Sequence, residues 1–186
     1  YRREWLPASP VVRQADVIIY GANAAGAVAA IRCAMSGLSV ILANPGWVVG
    51  GMTTGGLGYT DFGNKDVVGG LSREFYRRVG AHYGQAEAWK FEPHVARRVL
   101  EDWLAEWRVP VIHGLYLDSV TMADGVLTGL RFVDGSTLAG RMFMDASYEG
   151  DLMAAAGVSW RMGREGGAEY GEGHNGAQIH HSHQFD

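Results

Sequence analysis

A short apolar run that leads directly into a glycine-bounded turn constrains this chain more than any other feature. Residues Asp16–Tyr20 (DVIIY) are β-branched and almost continuously apolar, as is typical of a strand buried on both faces of a parallel sheet. The turn GANAAG over 21–26 follows, and Ala24–Ser36 has the composition and apolar spacing of a helix that Gly37 would end. Ser39–Ala43 reads as a second buried strand. The pattern predicts a strand–helix–strand unit of about 30 residues with a right-handed crossover.

The turn and the end of the second strand carry the spacing of a dinucleotide-binding site. Gly21 permits a tight turn, Gly26 lets the helix touch the strand, and the helix N-terminus offers free N–H groups to a pyrophosphate. Asn23 occupies the usual second glycine position, where we expect it to tolerate an unusual φ and to add a hydrogen bond. Asn44, at the end of the second strand, is expected to hydrogen bond the ribose. A strand–turn–helix without a nucleotide remains an alternative for these residues alone.

A second glycine-rich loop, Gly50–Gly58 (GGMTTGGLG), follows the second strand. Successive N–H groups and the hydroxyls of Thr53 and Thr54 would line a pyrophosphate or the edge of a flavin. A simple nicotinamide dehydrogenase has no need of such a loop, so it favours FAD over NAD. A glycine-rich surface loop without a ligand remains the alternative.

The middle of the chain predicts two helices and three antiparallel strands. Gly69–Tyr83 and Pro93–Trp107 have helical apolar spacing, and Val111–His113 resembles a further parallel strand. Three β-like runs then follow, separated by Asp-Gly pairs, the strongest short-range signal for a hairpin. The last of them, through Arg141–Asp145, is expected to return to the parallel sheet. The three runs are Tyr116–Ala123, Val126–Val133 and Ser136–Asp145.

These elements predict an α/β fold: a Rossmann-like parallel sheet with crossover helices and an inserted antiparallel β-meander. Lys and Arg number 16 against 20 Asp and Glu, a net charge of -4 without a basic stripe, which argues against a nucleic-acid partner. The nearly apolar stretch Val17–Ile31 is too short to cross a bilayer. One cysteine, Cys33, excludes an internal disulfide.

Four histidines cluster near the end of the chain, where a metal site could be considered. Their spacing matches no structural zinc pattern, and we predict no metal site there. They are His174, His180, His181 and His183.

Four motifs in order along the chain give a specific resemblance. They are Gly50–Gly58, Gly69–Tyr76 (GGLSREFY), Asp145–Leu152 (DASYEGDL), and Gly163–Glu165 with Tyr170–Glu172 and Asn175-Gly176. The chain resembles the FAD-dependent oxidoreductases of the glutathione-reductase-type fold, over nearly all of residues 16–186. The resemblance implies a noncovalent FAD as cofactor and a small molecule as substrate, and it identifies no catalytic residue.

The resemblance also implies where the cofactor binds. The ADP part would lie on Gly21–Gly26 and Asn44, the pyrophosphate near Gly50–Thr54 and the adenine against Leu117, while the turn Ala146-Ser147 closes on the cofactor. The residues expected to contact FAD are Gly21, Ala22, Asn23, Ala24, Ala25, Gly26, Asn44, Pro45, Gly50, Gly51, Met52, Thr53, Thr54, Leu117, Ala146 and Ser147.

We expect three segments: an N-terminal extension over 1–15, an incomplete FAD-binding domain over 16–160, and over 161–186 the start of a connection to a substrate domain that the sequence does not contain. Two alternatives to a flavoenzyme stay open, an NAD-dependent dehydrogenase and a truncated, non-catalytic nucleotide-binding domain. A homo-oligomer is compatible with the sequence. We expect a cytoplasmic location, or a secreted or periplasmic one if a signal peptide preceded Tyr1.

Overall fold

The computed structural model describes residues 9–173, 175 and 176, and a six-stranded sheet organises them. The spatial order of the strands is β3-β2-β1-β6-β5-β4. The strands are β1 (Val12–Tyr20), β2 (Val40–Asn44), β3 (Val111–His113), β4 (Leu117–Ala123), β5 (Val126–Phe132) and β6 (Thr137–Asp145). The helices are α1 (Ala24–Met35), α2 (Gly70–His82), α3 (Pro93–Glu106), α4 (Asp151–Ala155) and α5 (Gly167–Tyr170).

Strand β1 lies at the centre of the parallel part of the sheet. It pairs in parallel with β2 on one side and with β6 on the other, and its residues Val17–Tyr20 are almost wholly buried. β4, β5 and β6 form an antiparallel meander. The predicted fold class is therefore confirmed, with one refinement. β6 pairs with β1 along its whole length, from Val12↔Thr137 to Tyr20↔Asp145, whereas we expected only Arg141–Asp145 to return to the parallel sheet.

The start of β1 was predicted wrongly. The strand begins at Val12 rather than Asp16, so 12–15 belong to the sheet and not to an N-terminal extension. These residues are exposed or half-buried and therefore give no apolar pattern. They are strand because they pair with β6, and Val11 N–H donates to Ser136 Oγ at 2.9 Å. The one-turn helix α5 was also missed, because four residues are too few to show a helical period.

The two faces of the sheet bury two separate cores, because successive side chains of a strand point to opposite faces. Val17 and Ile19 of β1 pack on the side of α1, α2 and α3. Ile18 and Tyr20 pack on the other side against the meander and Leu152 of α4. The sheet is therefore covered on both faces at β1 and β2, as the continuous apolarity of these strands predicts.

On the face of the sheet that the helices cover, β6 is exposed whereas β1 is buried. Met142 and Met144 pair in register with Val17 and Ile19 and lie on the same face, yet their exposed fractions are 63% and 37%. The described helices therefore leave this part of β6 uncovered.

The predicted hairpin between β4 and β5 is confirmed at Asp124-Gly125. Both residues have positive φ, 50° and 77°, as a two-residue type I′ turn requires. Separately, no helix in the described part of the chain is long and apolar enough to span a membrane.

Asp16 ties β1 to the start of β2. Its Oδ2 accepts hydrogen bonds from Ser39 N at 3.0 Å and from Ser39 Oγ at 2.6 Å, while Asp16 N donates to Ser39 Oγ at 2.8 Å. The hydrogen bonds from Ser39 lower the pKa of the Asp16 carboxyl below 3.8, and Arg141 adds to this.

We expect Asp16→Asn to destabilise the fold at pH 7 and to become indistinguishable from wild type in acid. The folded-state pKa is depressed, so the contribution of the carboxylate is complete above about pH 3.8 and is lost as the pH falls through the lower folded value. Urea unfolding of both proteins between pH 7 and pH 3 tests this. A difference in stability that persists unchanged at pH 3 would contradict it.

Candidate functional site

A cavity of about 340 Å³ lies where the carboxyl ends of β1, β2 and β6 meet. β2 follows β1 along the chain but β6 flanks β1 on the other side, so this is a topological switch point, the usual ligand position in an open α/β sheet. The cavity is lined by Gly21, Ala22, Asn23, Asn44, Pro45, Gly46, Val48, Gly51, Ala146, Ser147, Tyr148, Glu149 and Asp151. Eight of these residues are among those predicted to contact the cofactor.

Gly21 and Gly26 allow the turn after β1 to approach the turn after β6. Gly21 has φ of +104°, and a Cβ there would lie 2.7 Å from Ser147 N. A Cβ on Gly26 would overlap the carbonyl oxygen of Gly21 and lie 3.1 Å from Ala146 Cβ. The predicted tight turn at Gly21 and the close packing at Gly26 are therefore both present.

Asn23 caps α1 and joins it to the loop after β6. Its Oδ1 accepts from Gly26 N at 2.9 Å, and its Nδ2 donates to Ala146 O at 2.5 Å. Its φ of -71° is ordinary extended backbone, so the expected unusual φ was wrong. The side chain is needed for its two hydrogen bonds and not for conformational freedom.

The first turn of α1 has an unused donor. Among the described residues, Ala25 N–H has no hydrogen-bond partner, and Ala24 N–H has only a weak contact with Gly50 O in the parallel bridge between Asn23 and Gly50. The first turn contains no acidic residue. The N-terminal end of a helix carries partial positive charge. This end can therefore accept an anionic group.

The Gly50–Thr54 loop is a compact turn rather than an open cradle. Gly50 and Gly51 have φ of +100° and +55°, and a 3-10 turn over Gly51–Thr53 follows. Thr53 N donates to Gly50 O and Thr54 N to Gly51 O, each at 3.2 Å.

Two of the five N–H groups of 50–54 thus bond inside the loop, while Gly50 N donates to Ala22 O and Met52 N donates to the Tyr148 hydroxyl. Gly51 lines the cavity. Thr54 is buried and its Oγ1 donates to Val49 O at 2.5 Å. Thr53 lines a second cavity of about 290 Å³ together with Ala24 and Ala25 of α1. Met52 is 56% exposed.

Asn44 is 5% exposed and organises the loop that follows β2. Its Oδ1 accepts from Gly46 N at 3.2 Å, and its Nδ2 donates to Val48 O at 3.1 Å and lies 3.1 Å from His113 Nδ1. One N–H group is therefore committed to Val48 O, and Oδ1 keeps one free lone pair. His113 Nδ1 also lies 3.2 Å from Gly46 O, and an Nδ1 that donates to this carbonyl cannot accept from Asn44.

The loop after β6 is fixed by Asp145. Its Oδ1 accepts from Ser147 N at 2.8 Å and from Ser147 Oγ at 2.6 Å, and its Oδ2 accepts from Met153 N at 2.8 Å. Ser147 Oγ in turn accepts from Asp151 N at 2.9 Å. This network places the main chain of Ala146 and Ser147 beside Gly21.

Eight of the sixteen predicted contacts do not line this cavity, and Leu117 is the one that is distant from it along the chain. The eight are Ala24, Ala25, Gly26, Gly50, Met52, Thr53, Thr54 and Leu117. Leu117 is not among the lining residues, because it packs in the core between the sheet and the meander. Its N–H donates to the hydroxyl of Tyr20 at 3.1 Å, and burial raises the pKa of that hydroxyl.

Sequence reasoning did not assign Tyr148 to the cavity, and Glu149 and Asp151 were given no definite role. All three belong to the DASYEGDL motif, which was the available signal, and all three line the cavity. Within the described residues, no group of three or more His, Cys, Asp or Glu side chains is arranged to hold a metal ion. The four clustered histidines lie outside the described residues.

Comparisons with known proteins identify the family. The family model described as "FAD dependent oxidoreductase" matches residues 16–185, so the chain belongs to this family of FAD-dependent oxidoreductases. Its cofactor is FAD, as the resemblance implied. No curated protein matches the chain.

Solved structures with the same fold include L-proline dehydrogenase from P. horikoshii, with a TM-score of 0.63, 11% identity, and coverage of 83% of this chain and 59% of that chain. A geranylgeranyl bacteriochlorophyll reductase-like protein from Thermoplasma acidophilum has a TM-score of 0.58 at 17% identity, covering 81% of this chain and 44% of that one. L-amino acid deaminase from Proteus vulgaris has a TM-score of 0.56 at 15% identity, covering 75% and 54%. The chain spans about half the length of these structures.

The residues present fit a dinucleotide. The turn over 21–26 leaves no room for side chains at its two glycines, so main chain can lie directly against a ligand. The free N–H group of Ala25 at the start of α1 suits a pyrophosphate. A cavity of about 340 Å³ between β2 and β6 is within the size range of cofactor clefts.

We expect Gly26→Ala to lower the free energy of unfolding by about 1–3 kcal/mol, the usual effect of overpacking, because the new methyl group would overlap the Gly21 carbonyl. Flavin content should fall with it. Gly173→Ala is the matched control, since a Cβ there meets no atom within 4 Å and the residue is exposed outside any helix. It should change stability by less than about 0.5 kcal/mol. Thermal melting and flavin-to-protein ratios test both, and an unaffected Gly26→Ala protein would contradict the close approach.

Proposed function

We propose that this chain is the N-terminal, FAD-binding part of an oxidoreductase that transfers a hydride between a small-molecule substrate and the flavin. The observation that supports this most is the cleft at the switch point, where Gly21 and Gly26 bring the turn after β1 against the turn after β6. The first turn of α1 begins one residue beyond Asn23 and lines the second cavity. The flavin supplies the hydride chemistry, and the protein supplies binding and orientation.

In this proposal each part of the cleft has one task. The first turn of α1 binds the pyrophosphate through the N–H group of Ala25. Asn44 accepts one ribose hydroxyl on the free lone pair of its Oδ1. The turn Ala146-Ser147 closes the opposite wall. The folded Gly50–Thr54 loop holds the cleft residues in place, because it pairs with Asn23 and donates from Met52 N to Tyr148.

An NAD-dependent dehydrogenase is the less favoured alternative, because membership of the FAD-dependent family covers residues 16–185 and includes the second glycine loop. A domain that keeps the fold without binding flavin is the other alternative. The identity of the bound cofactor distinguishes the flavoenzyme, the NAD-dependent dehydrogenase and the domain that binds no flavin.

We expect the purified full-length protein to contain FAD. Denaturation followed by chromatography of the supernatant identifies the released cofactor, and flavin-dependent reduction of a dye acceptor tests for redox turnover. A colourless protein that takes up NADH but not added FAD would support the dehydrogenase. A folded protein that binds neither would support the non-catalytic domain.

We expect Asn44 to recognise the ribose. Protein freed of flavin should bind ADP about tenfold more tightly than 2′,3′-dideoxy-ADP, the effect of one hydrogen bond of about 1.4 kcal/mol. In Asn44→Leu this ratio should approach one, although the variant also loses stability because a buried amide with three contacts is removed. Asn64→Leu, in an exposed turn, is the control. An unchanged ratio in Asn44→Leu would mean that the ribose is recognised elsewhere.

A further inference from the structure

Tyr148 crosses the cleft from the loop after β6 to the second glycine loop. Its hydroxyl accepts a hydrogen bond from Met52 N at 2.8 Å, although the two residues are 96 positions apart. The ring lines the cavity beside Asn23 and Gly51, and the residue is 59% exposed. The side chain therefore joins the two loops while remaining accessible to a ligand.

The second glycine of the loop makes this contact possible. A Cβ on Gly51 would overlap the Tyr148 hydroxyl and would lie 3.0 Å from both the Tyr148 ring and Asn23 Cβ. Any other residue at position 51 would therefore displace the tyrosine. The contact between Tyr148 and Met52 therefore depends on glycine at position 51.

The hydroxyl still has a proton to donate. A tyrosine hydroxyl has one donor and two acceptor positions, and Met52 uses one acceptor position. Within the part of the chain that the structure describes, no group accepts the Tyr148 proton. A hydroxyl that already accepts a hydrogen bond is a better donor, because hydrogen bonds in a chain polarise one another.

The surroundings of this proton combine the positive end of a helix with two acidic side chains. Tyr148 shares the cavity with Asn23, the N-cap of α1, and the first turn of that helix follows Asn23 directly in the chain. Glu149 and Asp151 also line the cavity, and their negative charge opposes a free anion. A phosphate is therefore expected to bind only as part of a nucleotide whose other groups also contact the cleft.

We propose that the Tyr148 hydroxyl donates a hydrogen bond to a phosphate oxygen of the bound dinucleotide while it accepts from Met52 N–H. Tyr148 then is a cofactor-binding residue that positions the pyrophosphate between α1 and the second glycine loop. This inference rests on the proposed function, because it requires FAD in the cleft.

The test uses the full-length protein freed of flavin, with dissociation constants for FAD and riboflavin measured by flavin fluorescence. Tyr148→Phe should weaken FAD binding by about 10- to 100-fold, the range for a hydrogen bond to a charged group. Riboflavin, which has no phosphate, should bind equally to both proteins. The ³¹P resonances of bound FAD should also shift in the variant. Tyr59→Phe, at a tyrosine of similar exposure, is the matched control and should change none of these.

Three outcomes would overturn the inference. Unchanged FAD affinity in Tyr148→Phe would show that the hydroxyl does not contact the phosphate. An equal loss for FAD and riboflavin would show that Tyr148 only tethers the loop. If folded wild-type protein takes up no FAD, the proposed function fails together with the inference. In the first two outcomes wild-type protein still binds FAD, so the proposed function stands.

Discussion

The contact between the turn after β1 and the turn after β6 is the constraint on which the cleft depends. Ala146 N donates to Tyr20 O at 2.8 Å, and Ala146 O accepts from Asn23 at 2.5 Å. Because both polar groups of one peptide segment are engaged, the two strand ends are fixed relative to each other. Gly21 and Gly26 are required beside this contact, since a side chain at either position would separate the strands where the cleft opens.

The two glycine-rich segments have different tasks. In the first, over 21–26, glycine lets main chain pack on main chain and leaves the start of α1 open to a ligand. In the second, over 50–54, glycine permits positive φ and a tight turn in which Thr53 N and Thr54 N donate to the turn's own carbonyl groups. A high glycine content therefore does not by itself mark donors that face a ligand. The side chains that reach across, such as Tyr148, add donors that the second loop does not offer.

Local signals predicted the order and type of most elements. The apolar runs at β1 and β2, and the Asp-Gly turn between β4 and β5, each depend on residues adjacent in sequence. The start of β1 was missed because residues 12–15 are strand only through pairing with β6.

In the site too, most features set by neighbouring residues were predicted, and features set by distant contacts were missed. Gly21 and Gly26 were predicted correctly because the turn geometry is local. The conformation of Asn23 was not, because the residue is the N-cap of α1, which has ordinary extended backbone and accepts from Gly26 N. Tyr148 was left unassigned because its partner Met52 is 96 positions away. Leu117 was assigned to the cofactor by resemblance, but local packing places it in the core.

The central position of β1 has a consequence for how the chain folds during synthesis. One neighbour, β2, follows within a few tens of residues, but the other, β6, begins only at Thr137. At ribosomal rates of about 5–20 residues per second, one edge of β1 waits on the order of ten seconds for its partner. That edge belongs to a buried apolar strand segment, Val17–Tyr20, and an unpaired apolar edge is a template for association with other chains. The nascent protein is therefore especially vulnerable to aggregation before the meander emerges, and the cofactor cleft cannot form until β6 and the loop after it have been synthesised.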